Sequence, residues 1–190
     1  MARFQQTVRA LKARLFARYG DTYLFEPALV PCGVPNVMVA DAILLADDDE
    51  NHALLAGKLM KACGILNPFV TVPDGDQVIA YLEGEGIYAN RERYPLPLLL
   101  LLDLKMPRMG GMEVLEWLSR SQPKPAFSTV VLTSYADLKT VKEAYRLGAR
   151  SFLVKPIEAK EFLPVAAELK GIRFGGAPNS GTANTGTARA

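Results

Sequence analysis

Asp103 closes the apolar run Leu96-Pro97-Leu98-Leu99-Leu100-Leu101-Leu102, and Leu104-Lys105-Met106-Pro107-Arg108-Met109-Gly110-Gly111 follows it directly. A carboxylate at the tip of a buried strand costs several kcal/mol, roughly, unless cations or hydrogen bonds offset it. Three other apolar runs end in partners for it. Asp47-Asp48-Asp49 follow Ala42–Ala46, Thr133-Ser134 follow Val130-Val131-Leu132, and Lys155-Pro156 follow Phe152-Leu153-Val154. Carboxylates from two strand ends repel one another unless a divalent cation joins them. Oxygen-only ligands at a hydrated edge favour Mg²⁺, which binds through one or two carboxylates plus a phosphate. The Lys155 ammonium and the Thr133 hydroxyl would then face the other oxygens of a phosphoryl group. In-line displacement needs little more than a nucleophile and charge neutralisation, and Asp103 is the natural nucleophile, giving an aspartyl phosphate.

The elements that would position these residues alternate regularly. Strand-like runs occupy 42–46, 68–72, 98–102, 129–132 and 151–154. Between them lie helical patterns: Leu54, Leu55, Leu59 and Met60; Val78, Ile79 and Leu82; Met112, Val114, Leu115 and Leu118; Leu138, Val141, Ala144, Tyr145 and Leu147. A last pattern comprises Phe162, Leu163, Val165, Ala166 and Leu169. Near-continuous apolar strands separated by helices indicate a parallel sheet covered on both faces. The expected fold is α/β: a flavodoxin-like, doubly wound, five-stranded parallel sheet in the order 2-1-3-4-5, flanked by five helices. Such sheets bind ligands beyond the carboxyl ends of their strands, where all four polar ends lie. Gly64, Gly148 and Gly171 stand where helix stops are expected, Asp137 where an N-cap is expected, and Pro164 should kink or delay the last helix.

The 190 residues carry a net charge of +2, unevenly distributed. Residues 1–37 hold five basic side chains against two acidic ones, residues 173–190 two against none, and the body between them is net −3. Nucleic-acid binding by the body gets little support. The longest apolar run is far short of the ~18 residues of a membrane span. Cys32 and Cys63 lack metal or redox spacing and read as reduced thiols of a cytoplasmic protein. We read residues 1–39 as an N-terminal extension, a basic amphipathic helix followed by a Pro-rich linker. It either touches a membrane surface or lies upstream of a natural start at Met38, which we favour. Residues 84–97 form a long polar loop, and residues 173–190 a disordered tail.

The acidic cluster 47–49, the Leu-Leu-Asp-Leu-Lys-Met-Pro-Arg-Met-Gly-Gly segment, Leu-Thr-Ser and Val-Lys-Pro resemble, in order and spacing, the receiver domain of two-component response regulators. The likeness spans residues 40–172, about 70% of the chain. It implies that Asp103 accepts a phosphoryl group from a sensor histidine kinase, with Asp48 on Mg²⁺ directly, Asp47 through water, and the Lys105 backbone carbonyl as a further ligand. Thr133 and Lys155 would contact the phosphoryl group, Phe152 would be the aromatic switch coupled to Thr133, and Lys155-Pro156 a cis peptide. The long loop resembles single-domain receivers that partner phytochrome-like kinases. Output would then be contact with a downstream protein, with homodimerisation an option. Tyr135 could shield the acyl phosphate from water, giving slow dephosphorylation, with Lys105 at the mouth opposite. His52 reads as an exposed residue of a first helical turn, and Trp117 and Tyr145 as packing residues.

Two rivals differ in class. A haloacid-dehalogenase-type phosphatase would use Asp47-Asp48-Asp49 as its Asp-x-Asp, but it leaves Asp103 without a role and lacks a later acidic pair. A receiver-fold adaptor working without phosphorylation would leave the acidic site unexplained.

Overall fold

The computed structural model describes residues 41–122, 126–134 and 138–175. The head helix, Tyr135, Asp137 and residues 176–190 lie outside the described residues. Five strands, β1 (Ala42–Ala46), β2 (Phe69–Val72), β3 (Pro97–Asp103), β4 (Ser128–Thr133) and β5 (Ser151–Val154), form one parallel sheet in the order β2-β1-β3-β4-β5. This is the expected order. Helices α1 (Glu50–Ala62), α2 (Gly75–Glu83), α3 (Gly111–Arg120), α4 (Leu138–Arg146) and α5 (Ala159–Ala167) connect and cover it. Every residue of β1 and β3 is buried, as a two-sided sheet requires.

Local chemistry sets the helix ends. Asp49 caps α1 by accepting from the Asn51 amide at 2.8 Å, and Asp74 caps α2 by accepting from the Gln77 amide at 2.9 Å. The Gly110 amide donates to Glu113 Oε2 at 2.8 Å at the start of α3. Gly64 and Gly148 take left-handed φ values of 71° and 105° where stops were expected. Pro164 lies within α5 without ending it or delaying its start; its missing N–H forgoes one bond, to the Lys160 carbonyl.

Three expectations need correction. Leu54 and Leu55 are 57% and 54% exposed; α1 buries Met60, as expected, and Ala56, which the pattern left out. The second pattern missed Tyr81, which is fully buried beside Val78. The segment 84–97 is a loop, as expected, held by a tyrosine cluster around a 3-10 turn at Gly86–Ala89. The rings of Tyr81 and Tyr88, and of Tyr88 and Tyr94, lie 5.1 Å apart. Tyr81 Oη donates to the Pro95 carbonyl at 2.6 Å, and Arg91 binds the Tyr81 and Leu82 carbonyls at 2.7 and 2.9 Å, closing the end of α2. Residues 173–175, placed in the tail by composition, pair with 64–67: the Leu66 amide donates to the Arg173 carbonyl at 2.9 Å and the Gly175 amide to the Gly64 carbonyl at 2.7 Å.

Candidate functional site

Strand register brings the polar ends together. Ala46 and Leu102 are partners across β1 and β3, so Asp47 and Asp103 leave the sheet at the same level. Asp103 faces Leu132 across β4, and Thr133 pairs with Val154, so Thr133 and Lys155 follow one and two steps along. The Lys155 amide donates to the Thr133 carbonyl at 3.0 Å, and the peptide between Lys155 and Pro156 is cis. Asp47, Asp103, Thr133 and Lys155 are buried, while Asp48 and Lys105 are exposed at the rim.

One ammonium sits among the carboxylates. Lys155 Nζ lies 2.6 Å from Asp47 Oδ2 and 2.6 Å from Asp103 Oδ2. The other oxygens are held by backbone: the Asp49 amide donates to Asp47 Oδ1 at 3.1 Å, and the Lys105 amide to Asp103 Oδ1 at 3.2 Å. Asp47, Asp48 and Asp103 each offer an oxygen within 4.8 Å of the others. Three carboxylates against one lysine leave a local charge near −2, and the donors are all oxygen. That set fits a small hard divalent cation.

The acidic triplet divides its work. Asp47 points inward and Asp48 outward. Asp49 turns to α1, where the Asn51 amide holds its carboxyl below the usual carboxylate range. Gly111 makes the turn after Asp103 possible: a Cβ there would collide with the Asp103 carbonyl oxygen and approach Leu104 Cα to 2.9 Å. Phe152 is buried, its ring 5.3 Å from that of Tyr145, whose phenol is pushed up to about 12 by burial.

His52 belongs to this site, contrary to expectation. Its Nδ1 lies 3.4 Å from Asp47 Oδ1 and 3.3 Å from Lys155 Nζ. The signal was its place five residues after Asp47, where the first turn of α1 brings a side chain back over the strand end. Asp74 and Arg108, an ion pair beside the loop after Asp103, were also missed.

Residues 43–167 match the response regulator receiver domain. The chain is 31% identical over 131 residues to the probable methanogenesis regulatory protein FilR2 of Methanothrix harundinacea (strain 6Ac), covering 67% of this chain and 80% of that one. Among solved structures it resembles the bacteriophytochrome response regulator AtBRR, with a TM-score of 0.62, 31% identity, and coverage of 72% of this chain and 96% of that one. The Mn²⁺-bound form of the response regulator Rcp1 gives a TM-score of 0.58 at 26% identity, covering 71% and 99%. With its 2-1-3-4-5 sheet and the matched span, the chain belongs to the response regulator receiver domain family.

Proposed function

We propose that this chain is a phosphorylation-operated signalling switch: Asp103 takes a phosphoryl group from a partner histidine kinase, and the modified domain then contacts a downstream protein. The observation that carries this reading is the Asp103 carboxylate, buried at the end of β3 with Lys155 Nζ at 2.6 Å and two further carboxylates within 4.8 Å. In the transfer, an Asp103 Oδ attacks phosphorus, the P–N bond to the kinase imidazole breaks, and that nitrogen leaves with the bonding pair. Lys155 would neutralise charge on the acceptor side, and the Thr133 hydroxyl, at the end of β4, would meet a phosphoryl oxygen. Asp47, Asp48, Asp103 and the Lys105 carbonyl would hold Mg²⁺, which supplies charge neutralisation for the phosphoryl oxygens when bound. The Mn²⁺-bound form of Rcp1, a similar chain, supports a divalent metal on this fold.

Several features suit the partners. Leu54 and Leu55 are exposed on α1, and Leu55, Pro156 and Ile157 line the depression over Lys155. An apolar rim around a buried acid is what a kinase helix presenting a phosphohistidine would dock on. The likeness to a bacteriophytochrome response regulator makes a phytochrome-like kinase the first partner to test. Among the described residues no helix is long and apolar enough to cross a membrane, in keeping with a cytoplasmic role. Phe152 and Thr133 would relay the modification to the face of α4, β5 and α5, where a target or a second copy could bind. Residues 40–172 are the signalling body in this reading, with 1–39 an extension and 173–190 a tail. The chain assists its own phosphorylation and hydrolysis and turns over no separate substrate.

Intact-mass analysis after incubation with Mg²⁺ and acetyl phosphate tests this. The expected result is an adduct of ~80 Da in the wild type and none in Asp103→Ala. An adduct that survives the substitution, or none in the wild type, overturns the reading.

A further inference from the structure

The loop after Asp103 contains a backbone outlier. Arg108, with φ at 61°, is the single non-glycine residue in the left-handed region among the described residues. For a residue with a side chain that conformation costs roughly 1–2 kcal/mol, and such strain persists only where surroundings over-determine it. Here the surroundings are Asp74. Its side chain is fully buried; Oδ1 caps α2 through the Gln77 amide, and Oδ2 accepts no hydrogen bond from any other group among the described residues. The Arg108 side chain is 60% exposed, yet its guanidinium reaches in and pairs with Oδ2, and its Nε lies 3.5 Å from Asp76 Oδ2. A buried carboxylate oxygen with one cationic partner makes this pair far more consequential than a surface salt bridge.

The backbone around the pair is tied to the same two elements. The Gly75 amide donates to the Met109 carbonyl at 3.0 Å, and a Cβ on Gly75 would come within 2.6 Å of Met109 Cγ and 2.8 Å of the Met109 oxygen. At the loop's other end the Gly111 amide donates to the Leu104 carbonyl at 3.1 Å. The loop is thus pinned at Leu104 and at Met109, and the Asp74–Arg108 pair fixes the direction of the chain between them. Lys105, whose amide already binds Asp103 Oδ1, lies in that span with its carbonyl as the expected cation ligand.

We propose that Arg108, latched to Asp74, is a positioning residue for the metal-dependent reaction: it holds the loop so that the Lys105 carbonyl faces the cation bound by Asp47, Asp48 and Asp103. The inference rests on the cation-site reading above. Arg108 touches neither acceptor nor phosphoryl group, and it comes from the side of the loop that faces β2 and α2, which supply none of the site carboxylates. Losing the latch should therefore loosen the third side of the cation site and leave the acidic pair and Lys155 in place.

The test uses the full chain with Asp74→Asn, which keeps the Oδ1 cap and removes the charge, and with Arg108→Ala, Arg108→Gly and Arg108→Lys. Mg²⁺ affinity is measured by calorimetric titration, and acetyl-phosphate labelling of Asp103 is followed as a function of Mg²⁺ concentration. Asp74→Asn, Arg108→Ala and Arg108→Gly should weaken Mg²⁺ binding by about tenfold, as loss of an outer-shell partner does elsewhere. Labelling should slow at low Mg²⁺ and recover at saturating Mg²⁺, with Arg108→Lys in between. A merely structural pair would shift thermal stability and leave the Mg²⁺ dependence unmoved, and that result in a folded Arg108→Ala or Arg108→Gly overturns the latch alone. A wild-type chain that binds no Mg²⁺ overturns the cation site and the latch with it. Should Asp74→Asn not fold, Arg108→Gly, which relieves the strained φ, decides the matter.

Discussion

Replacing Lys155 by methionine isolates the electrostatics of the site, because a four-atom apolar stem of similar shape remains and the terminal ammonium is lost. That ammonium is buried and sits 2.6 Å from Asp47 Oδ2 and 2.6 Å from Asp103 Oδ2. At an effective dielectric of about 20, each contact is worth about 6 kcal/mol before desolvation. Burying the ammonium and two carboxylates returns several kcal/mol per ion, so the net contribution is much smaller than the gross figure. Removing the cation, however, leaves Asp47 and Asp103 facing each other with oxygens within 4.8 Å. Their repulsion at that separation is about 3.5 kcal/mol at the same dielectric. The expected loss of stability in EDTA is therefore about 3–5 kcal/mol, the range seen when one member of a buried pair is removed.

A divalent cation should reverse part of that loss, since it supplies the missing charge. At one hundred times its dissociation constant a bound ion stabilises by about 2.7 kcal/mol. Lys155→Met should gain more from the same Mg²⁺ than the wild type does, because in the wild type Lys155 competes for the same oxygens. The assay is urea unfolding followed by the fluorescence of Trp117, the one tryptophan of the chain, in EDTA and in Mg²⁺. Unchanged stability of Lys155→Met in EDTA, or an equal Mg²⁺ increment in both proteins, would refute the reasoning.

Two further outcomes follow from the packing. Gly111→Ala places a methyl against the Asp103 carbonyl and 2.9 Å from Leu104 Cα; we expect a loss of about 1–3 kcal/mol from overpacking, together with weaker Mg²⁺ binding, and a silent substitution would show the turn to be slack. Burial pushes the Tyr81 phenol up to about 12 from 10.0, so its contribution to stability is complete below pH 10 and lost as pH rises towards 12. Alkaline unfolding should show a fall of up to about 3 kcal/mol across that window, shallower in Tyr81→Phe; an identical profile in that variant would remove Tyr81 as the cause.

The strands and the site at their ends were legible because the same physics writes both. A parallel strand buried on two faces must be apolar throughout, so its first polar residue marks its carboxyl end, and in a doubly wound sheet those ends share an edge. Helix faces were harder. The apolar residues Leu54 and Leu55 suggested the buried side of α1, yet beside Met60 the helix packs through small residues. Ala56 is buried, and a Cβ on Gly57 would lie 3.5 Å from the Phe69 ring. Close approach favours residues with almost no hydropathic signal. The packing within the 84–97 loop was illegible for a related reason, since tyrosines score as polar while their rings pack and their hydroxyls find carbonyls. His52 and Arg108 escaped because their meaning lies in three-dimensional partners, Lys155 in one case and Asp74 in the other.

The charge count of the site explains why phosphorylation and cation binding should depend on each other. With one lysine and three carboxylates the pocket stands near −2, close to neutral once a divalent ion arrives. Converting the Asp103 carboxylate into an acyl phosphate exchanges one negative charge for about two. Without the ion that leaves roughly −3 in a largely buried site; with it, about −1. The ion therefore favours the phosphorylated form, and by reciprocity phosphorylation must tighten the hold on the ion. In the proposed switch Lys155 could not keep both its present carboxylate contacts through this change, because Asp47 would be claimed by the ion and an Asp103 oxygen would become part of the acyl phosphate. Beyond His52, which lies 3.3 Å from Nζ, the partners open to it are the new phosphoryl oxygens, and Lys155 directly follows β5. A shift of Lys155 towards the phosphoryl group would therefore bear on the strand that holds Phe152, and this gives the buried chemistry a mechanical route to the far edge of the sheet.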